Sequence, residues 1–345
     1  MVKLTSTRRR VLGAMVVTLA MVTAACSSSG TTTATSGTGT GSGGTIKLVA
    51  YSTPQAAYNQ IEAAFQKTAA GKGVHFQESY GASGDQSRAV AAGQPADYVS
   101  FSLEPDMTRL VKAGLVASSW DANQYKGMVT NSIVVFIVRK GNPKHIKTWD
   151  DLTKSGVKVL TPNPFSSGAA RWNIMAAYGA QLKQGKTPAE ANQYLSSLFK
   201  NVVAQDTSAR NALANFTSGE GDVLLSYEND AIFAQQKGKP IDYVIPTQTI
   251  LIQNPAAVTV KASNPQLAKS WLAFLYTTTA QKIFADNGYR PVVPGVVPAD
   301  KFATPATLFT IDDLGGWTDV TKTFFDPDDG VVTKIEQDKG VSTKS

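Results

Sequence analysis

The chain is poor in the side chains that most enzymes rely on. It has one cysteine, Cys26, and two histidines, His75 and His145. A single cysteine excludes an internal disulfide. Neither HExxH nor GxSxG occurs, so zinc-protease and nucleophile-elbow chemistry have no motif to rest on. Apolar runs are scarce as well. The longest, Val11 to Val22, is too short to span a bilayer with assurance, and nothing downstream approaches it. A one-sided charge is also missing. The formal net charge is +7, and removing Lys3, Arg8, Arg9 and Arg10 leaves 29 basic against 26 acidic residues, a net of +3. A surplus so mild and scattered does not point to nucleic acid. No internal repeat is visible.

What is present begins with an export signal. The four basic residues precede the apolar stretch, and Thr23-Ala24-Ala25-Cys26 follows it, so 1–25 reads as a signal peptide. The Cys26 position resembles the lipobox of bacterial lipoproteins, although Thr23 stands where Leu is usual. Acylation of Cys26 is the expectation, with a free thiol as the alternative, and Thr7-Arg8-Arg9 leaves a twin-arginine route open. Residues 26–44 are almost all Ser, Thr and Gly and form a flexible tether. The pattern describes an exported body held by lipid on the outer face of the cytoplasmic membrane.

The body alternates strands and helices, which predicts an α/β fold with mostly parallel sheets. Strands are expected at 46–51, 74–78, 96–101, 132–138, 157–161, 202–205, 222–227, 241–246 and 250–260. Helices are expected at 54–66, 86–92, 104–113, 168–183, 188–200, 208–216, 265–276 and 279–287, with another from Glu228 and a loop-rich tail. The order suggests two lobes, 45–130 plus 250–345 as lobe I and 131–249 as lobe II. Ligands of such sheets bind beyond the carboxyl ends of the strands.

Three strand-to-helix turns lie at those ends. They are Tyr80-Gly81-Ala82-Ser83-Gly84, Asn163-Pro164-Phe165-Ser166-Ser167-Gly168-Ala169-Ala170, and Asp206-Thr207-Ser208-Ala209-Arg210. The first amides of a helix lack internal acceptors and carry the positive end of the macrodipole, so small residues there leave room for an anion. Taken singly, each turn is equally an ordinary Ser N-cap. Together they suggest one oxyanion at their meeting point.

Several segments closely resemble the bacterial sulfate/thiosulfate-binding proteins of ABC importers. They are Val135-Phe136-Ile137-Val138-Arg139-Lys140-Gly141-Asn142-Pro143-Lys144, Thr148-Trp149-Asp150-Asp151-Leu152, Thr161-Pro162-Asn163-Pro164, Ser167-Gly168-Ala169-Ala170-Arg171-Trp172-Asn173 and Leu308-Phe309-Thr310-Ile311-Asp312. The match extends over about 46–335. The resemblance implies a two-lobed periplasmic-binding-protein fold that closes on a sulfate ion, delivers it to permease subunits and needs no cofactor or metal. It also implies a monomer. The ligand contacts it implies are the Ser52 amide, the Ser83 amide and hydroxyl, the Ser167 hydroxyl, and the amides of Gly168, Ala169 and Ala209. Tyr227 stands where the family usually has a Trp whose indole N–H touches sulfate. It can contact the ion, act through water, or only wall the site. Ala169 replaces a family Gly.

Arg88, Arg171 and Arg210 follow the three turns and are expected behind the anion, bonding loop carbonyls and carboxylates rather than the ligand itself. Glu228 and Asp230 resemble an acid/base pair but are expected to cap or hinge. Asp326, Asp328 and Asp329 suggest a solvated turn before a calcium site. The reading is a non-catalytic receptor. Its alternatives are a receptor for thiosulfate, molybdate or phosphate, and a surface ester hydrolase, which lacks a nucleophile–base pair here.

Overall fold

The computed structural model describes residues 43–343. The expected signal peptide, Cys26 and all of the tether except Gly43 and Gly44 lie outside the described residues. The chain opens with β1 (Thr45–Tyr51), α1 (Gln55–Phe65), β2 (His75–Gly81), α2 (Ser83–Ala91), β3 (Tyr98–Ser100) and α3 (Glu104–Lys112). A long β4 (Met128–Arg139) leads to β5 (Val159–Leu160), α4 (Gly168–Lys183), α5 (Pro188–Asn201), β6 (Val202–Ala204), α6 (Ala209–Thr217), β7 (Val223–Tyr227) and α7 (Glu228–Gln236). Then follow β8 (Ile241–Val244), β9 (Gln248–Val258), α8 (Pro265–Leu275), α9 (Thr278–Asp286), β10 (Thr307–Phe309), α10 (Gly316–Phe325) and α11 (Val331–Asp338).

The main strand order is β2-β1-β3-β9-β4-β7-β5-β6. At one end β1 lies parallel to β2 and β3; at the other β5 lies parallel to β6 and β7. Between these sets run β9 and β4, antiparallel to each other and to the parallel strands beside them. The first half of β4, up to Ile133, pairs with β9, and Val134–Val138 pairs with β7. The two crossing strands thus link the sets together, β9 pairing with β3 of the first and β4 with β7 of the second.

The unbroken apolar run of β4 follows from this placement. Val134, Phe136 and Val138 enter one core, with Trp149, Val159, Trp172, Met175 and Leu195. Ile133, Val135 and Ile137 enter another, with Leu160, Phe216 and Leu224. Alternate side chains leave a strand on opposite faces, so a strand covered on both faces needs no polar face. Around β1 a separate core gathers Ile46, Leu48, Tyr58, Phe65, Tyr98 and Trp271.

The tail departs from expectation. It holds two helices, with Trp317, Val320, Phe324 and Phe325 of α10 buried. The Trp317 ring meets Trp172 edge-on at 4.7 Å between centroids, and Phe324 meets Tyr178 at 4.7 Å. Lys339 Nζ donates to the carbonyls of Phe199 and Val202. Residues 307–341, expected with lobe I, therefore pack on the 131–249 segment. Two leading glycines and three threonines weaken the intrinsic helix signal of 315–325, and tertiary burial outweighs it.

Candidate functional site

Four backbone ends converge between the two strand sets. β1 stops at Tyr51 and exposes Ser52; α2, α4 and α6 start at Ser83, Gly168 and Ala209. They border a small cavity whose walls include Ser52, Ser83, Ser102, Ser167, Ala169 and Ala209. No acid, lysine or arginine is part of that wall. Larger crevices lie beside Glu104 and Trp120, about 380 Å³, and beside Lys47 and Asp97, about 270 Å³. Both carry acidic and basic side chains in their walls, Asp97 with Lys47 in one and Glu104, Asp121 and Asp312 with Lys126 in the other, and the small cavity carries neither.

Each donor has a local cause. Ser167 has extended dihedrals before α4, and its own amide bonds the Asn163 carbonyl at 2.8 Å. Among the described residues its hydroxyl has no protein partner, although the residue is only 4% exposed. Ser208 caps α6 by accepting the Asn211 amide at 3.2 Å, which leaves the Ala209 amide at the first helical position without an internal acceptor. A hydroxyl and bare amides at helix starts form a nest of donors with partial positive charge.

The expected residues are not all equivalent. Ser52, Ser83, Ser167, Ala169 and Ala209 border the cavity. Gly168 faces an adjoining crevice, and a Cβ built on it would lie 2.7 Å from Leu103 Cδ2 and from Ser102 Oγ. The Ser83 hydroxyl differs from expectation. It donates to Asp106 Oδ2 at 2.6 Å and accepts the Ser102 amide at 2.9 Å. A hydroxyl has one proton, so only the Ser83 amide remains for a ligand. Tyr227 does not border the cavity. It is fully buried, with its hydroxyl 2.5 Å from Ser102 Oγ. Burial pushes its phenol well above the ordinary value, so it keeps its proton. The residue that sequence reading missed is Ser102. It lies two positions beyond the end of β3, and the placement of sites at strand ends was the available signal.

The three arginines bind loop carbonyls. Arg88 donates to Phe165 O at 3.2 Å and pairs with Asp85 at 2.5 Å. Arg171 Nε donates to Pro164 O at 2.9 Å and its guanidinium lies 4.6 Å over the Phe325 ring. Burial pulls its pKa down to about 10, which still leaves it charged at neutral pH. Arg210 donates to Thr53 O at 2.7 Å and stands 3.5 Å from buried Asp230. Arg88 and Arg210 thereby join the first strand set to the second. The Gly84 amide does so too, donating to Ser166 O at 2.9 Å, as does Trp172 Nε1, to Ser102 O at 2.8 Å.

Other candidates resolve into local structure. Glu228 is gripped by Arg290 at 2.7 Å, and Asp230 accepts from Ser226 at 2.8 Å. Burial raises both carboxyls, opposed by Arg290 at Glu228 and by Arg210 at Asp230. Asp326 accepts the amides of Asp328 and Asp329 in a turn. His75 and His145 are exposed.

Two parallel strand sets joined by crossing strands, with a donor-lined cavity between them, define a two-lobed solute-binding protein. The model of the family described as bacterial extracellular solute-binding protein matches residues 46–290. A sulfate-binding protein from Synechococcus elongatus is 43% identical over 303 residues, covering 85% of this chain and 86% of that protein. A thiosulfate-binding protein from Pseudomonas aeruginosa is 35% identical, covering 83% and 90%. The solved structure of the sulfate-binding protein SubI from Mycobacterium tuberculosis H37Rv superposes with a TM-score of 0.80 at 46% identity, covering 82% and 99%. The chain belongs to the bacterial extracellular solute-binding proteins, in their sulfate/thiosulfate branch.

Proposed function

We propose that this protein is the sulfate receptor of an ABC importer: it binds the ion outside the cytoplasmic membrane and presents it to the permease subunits. The observation that carries this reading is a cavity bordered by helix-start amides and the free Ser167 hydroxyl, with no charged side chain in its wall. Sulfate at neutral pH has no proton and can only accept hydrogen bonds. Hydrogen phosphate brings a proton that would meet another donor, and a mispaired buried group costs about 1–3 kcal/mol or more. Charge-assisted bonds to a buried anion contribute roughly 1.5–3 kcal/mol each, so a few suffice for the net of about −8 kcal/mol that micromolar affinity needs.

On this reading the ion is held by the amides of Ser52, Ser83, Gly168, Ala169 and Ala209 and by the Ser167 hydroxyl. Lobe I is 45–130 with about 250–306, and lobe II is 131–249 with 307–341, because the tail packs on the latter. Arg88, Arg171 and Arg210 hold the anion loops and the closed state without touching the ion. Cys26 carries the lipid that anchors a monomer to the outer face of the membrane. The role is binding, not turnover.

Calorimetric titration of residues 45–345 with sulfate, thiosulfate, molybdate and phosphate tests this. The expected result is tight one-to-one binding of sulfate with no measurable phosphate heat. Tight phosphate or molybdate binding with no sulfate heat would reverse the ligand assignment, and hydrolysis of a sulfate ester would reverse the class. Metabolic labelling with palmitate, compared with a Cys26→Ala chain, tests the anchor.

A further inference from the structure

Ser102 and Tyr227 form a buried pair that the assigned contacts do not use. Ser102 Oγ lies 2.5 Å from the Tyr227 hydroxyl, and either atom can be the donor by distance alone. Only one of the two residues, Ser102, borders the anion cavity. Its side chain also lies against the start of α4, where a Cβ on Gly168 would be 2.7 Å from Ser102 Oγ. The remaining groups of Ser102 are fixed. Its amide donates to Ser83 Oγ at 2.9 Å, and its carbonyl accepts from Trp172 Nε1 at 2.8 Å and Asn254 Nδ2 at 2.9 Å.

The direction of the hydroxyl pair follows from counting protons. The Tyr227 phenol is fully buried and protonated, so its proton needs an acceptor. Asn254, the next polar side chain, directs its NH₂ to Ser102 O while its Oδ1 accepts from Thr130 Oγ1 at 3.1 Å. Ser102 Oγ is the acceptor that remains. With that lone pair filled by Tyr227, the one proton of Ser102 is free for the cavity. In the opposite direction the tyrosine proton would be stranded in the core and a lone pair would face the anion.

We infer that Ser102 is a direct donor to the bound oxyanion and that Tyr227 is its positioning residue, holding the serine proton toward the cavity. The tyrosine thus serves the ion at one remove. It also acts on selectivity, because a Ser102 hydroxyl relieved of Tyr227 can turn and accept the proton of hydrogen phosphate. The inference rests on the receptor reading above and adds a specificity device to it.

The test is titration of wild type, Ser102→Ala, Tyr227→Phe and the double variant with sulfate and with phosphate, alongside the unliganded melting temperature of each. Ser102→Ala is expected to lose sulfate affinity about 10- to 100-fold. Tyr227→Phe is expected to lower the sulfate-to-phosphate affinity ratio by about tenfold and to add nothing in the Ser102→Ala background. That ratio, and the vanishing of the second effect, would not follow from a packing role alone. Sulfate affinity unchanged in Ser102→Ala overturns the inference while leaving the receptor reading intact. If Ser102→Ala does not fold, the Tyr227→Phe ratio decides, and an unchanged ratio overturns the assignment. A wild type that takes no sulfate removes the receptor reading itself, and the pair's role with it.

Discussion

Ser167 ends an extended turn with a hydroxyl that no protein atom accepts from or donates to among the described residues, in a position only 4% exposed. That residue lines the cavity, so its hydroxyl is free to donate to a ligand there. Ser167→Ala should therefore weaken sulfate binding by about 1–3 kcal/mol, measured by calorimetry, with little change in unliganded stability. Titration at the residue level leads to a second expectation. Tyr51 is the single ionisable side chain on the cavity wall, and burial pushes its phenol upward, away from neutrality. Sulfate affinity measured between pH 6 and 9 should vary by less than about threefold, since no wall group changes charge there. A steep dependence would place a titrating group in contact with the ion.

At the scale of elements, the start of α4 does most to bring donors together, and it works because Gly168 has no side chain. A Cβ there would sit 2.7 Å from Leu103 Cδ2 and 2.8 Å from Ser102 Cβ, closer than such contacts allow. Gly168→Ala should cost about 1–3 kcal/mol of stability by overpacking and lower sulfate affinity, both readable in one thermal-shift series with and without sulfate. Helix α1 makes a separate prediction. Burial, with Glu78 nearby, pushes the Glu62 carboxyl up to about 8. Between the ordinary glutamate value and that pH the folded state binds more protons than the unfolded one, so stability falls as pH rises through the window. Glu62→Gln should remove that slope and stabilise the protein above pH 8 by about 1 kcal/mol, once partial solvent access is allowed for. Chemical denaturation at pH 5 and pH 8.5 would show it.

The whole molecule is held shut over the cavity by bonds that cross from one strand set to the other. They include Gly84 N to Ser166 O at 2.9 Å, Trp172 Nε1 to Ser102 O at 2.8 Å, Arg88 to Phe165 O at 3.2 Å and Arg210 to Thr53 O at 2.7 Å. Arg88 is the most dispensable to the fold, because its ion partner Asp85 is exposed. Arg88→Ala should speed sulfate release and lower affinity by about 1 kcal/mol, with the unliganded melting temperature within a few degrees of wild type. Stopped-flow release compared with thermal melting separates the two effects. Arg210→Ala should differ, because it strands buried Asp230. The expected stability loss is about 3–5 kcal/mol, seen in denaturant unfolding.

Much of this protein is written locally. The boundaries of α4 and the apolar run of β4 follow from periodicity and caps, and so do the bare amides at Gly168, Ala169 and Ala209. Each depends on the backbone within a few residues and carries its own signal. The sequence therefore determined the α/β class and the three anion-ready turns. Tertiary structure alone decided that the Ser83 proton goes to Asp106, that Tyr227 stands one residue back from the cavity, and that Ser102 stands in front of it. It also decided that α10 and α11 pack on the second strand set. These outcomes turn on side chains that are far apart in sequence, Ser83 with Asp106 and Ser102 with Tyr227. A hydroxyl's single proton goes to whichever partner the fold brings within reach, and no local pattern encodes that meeting.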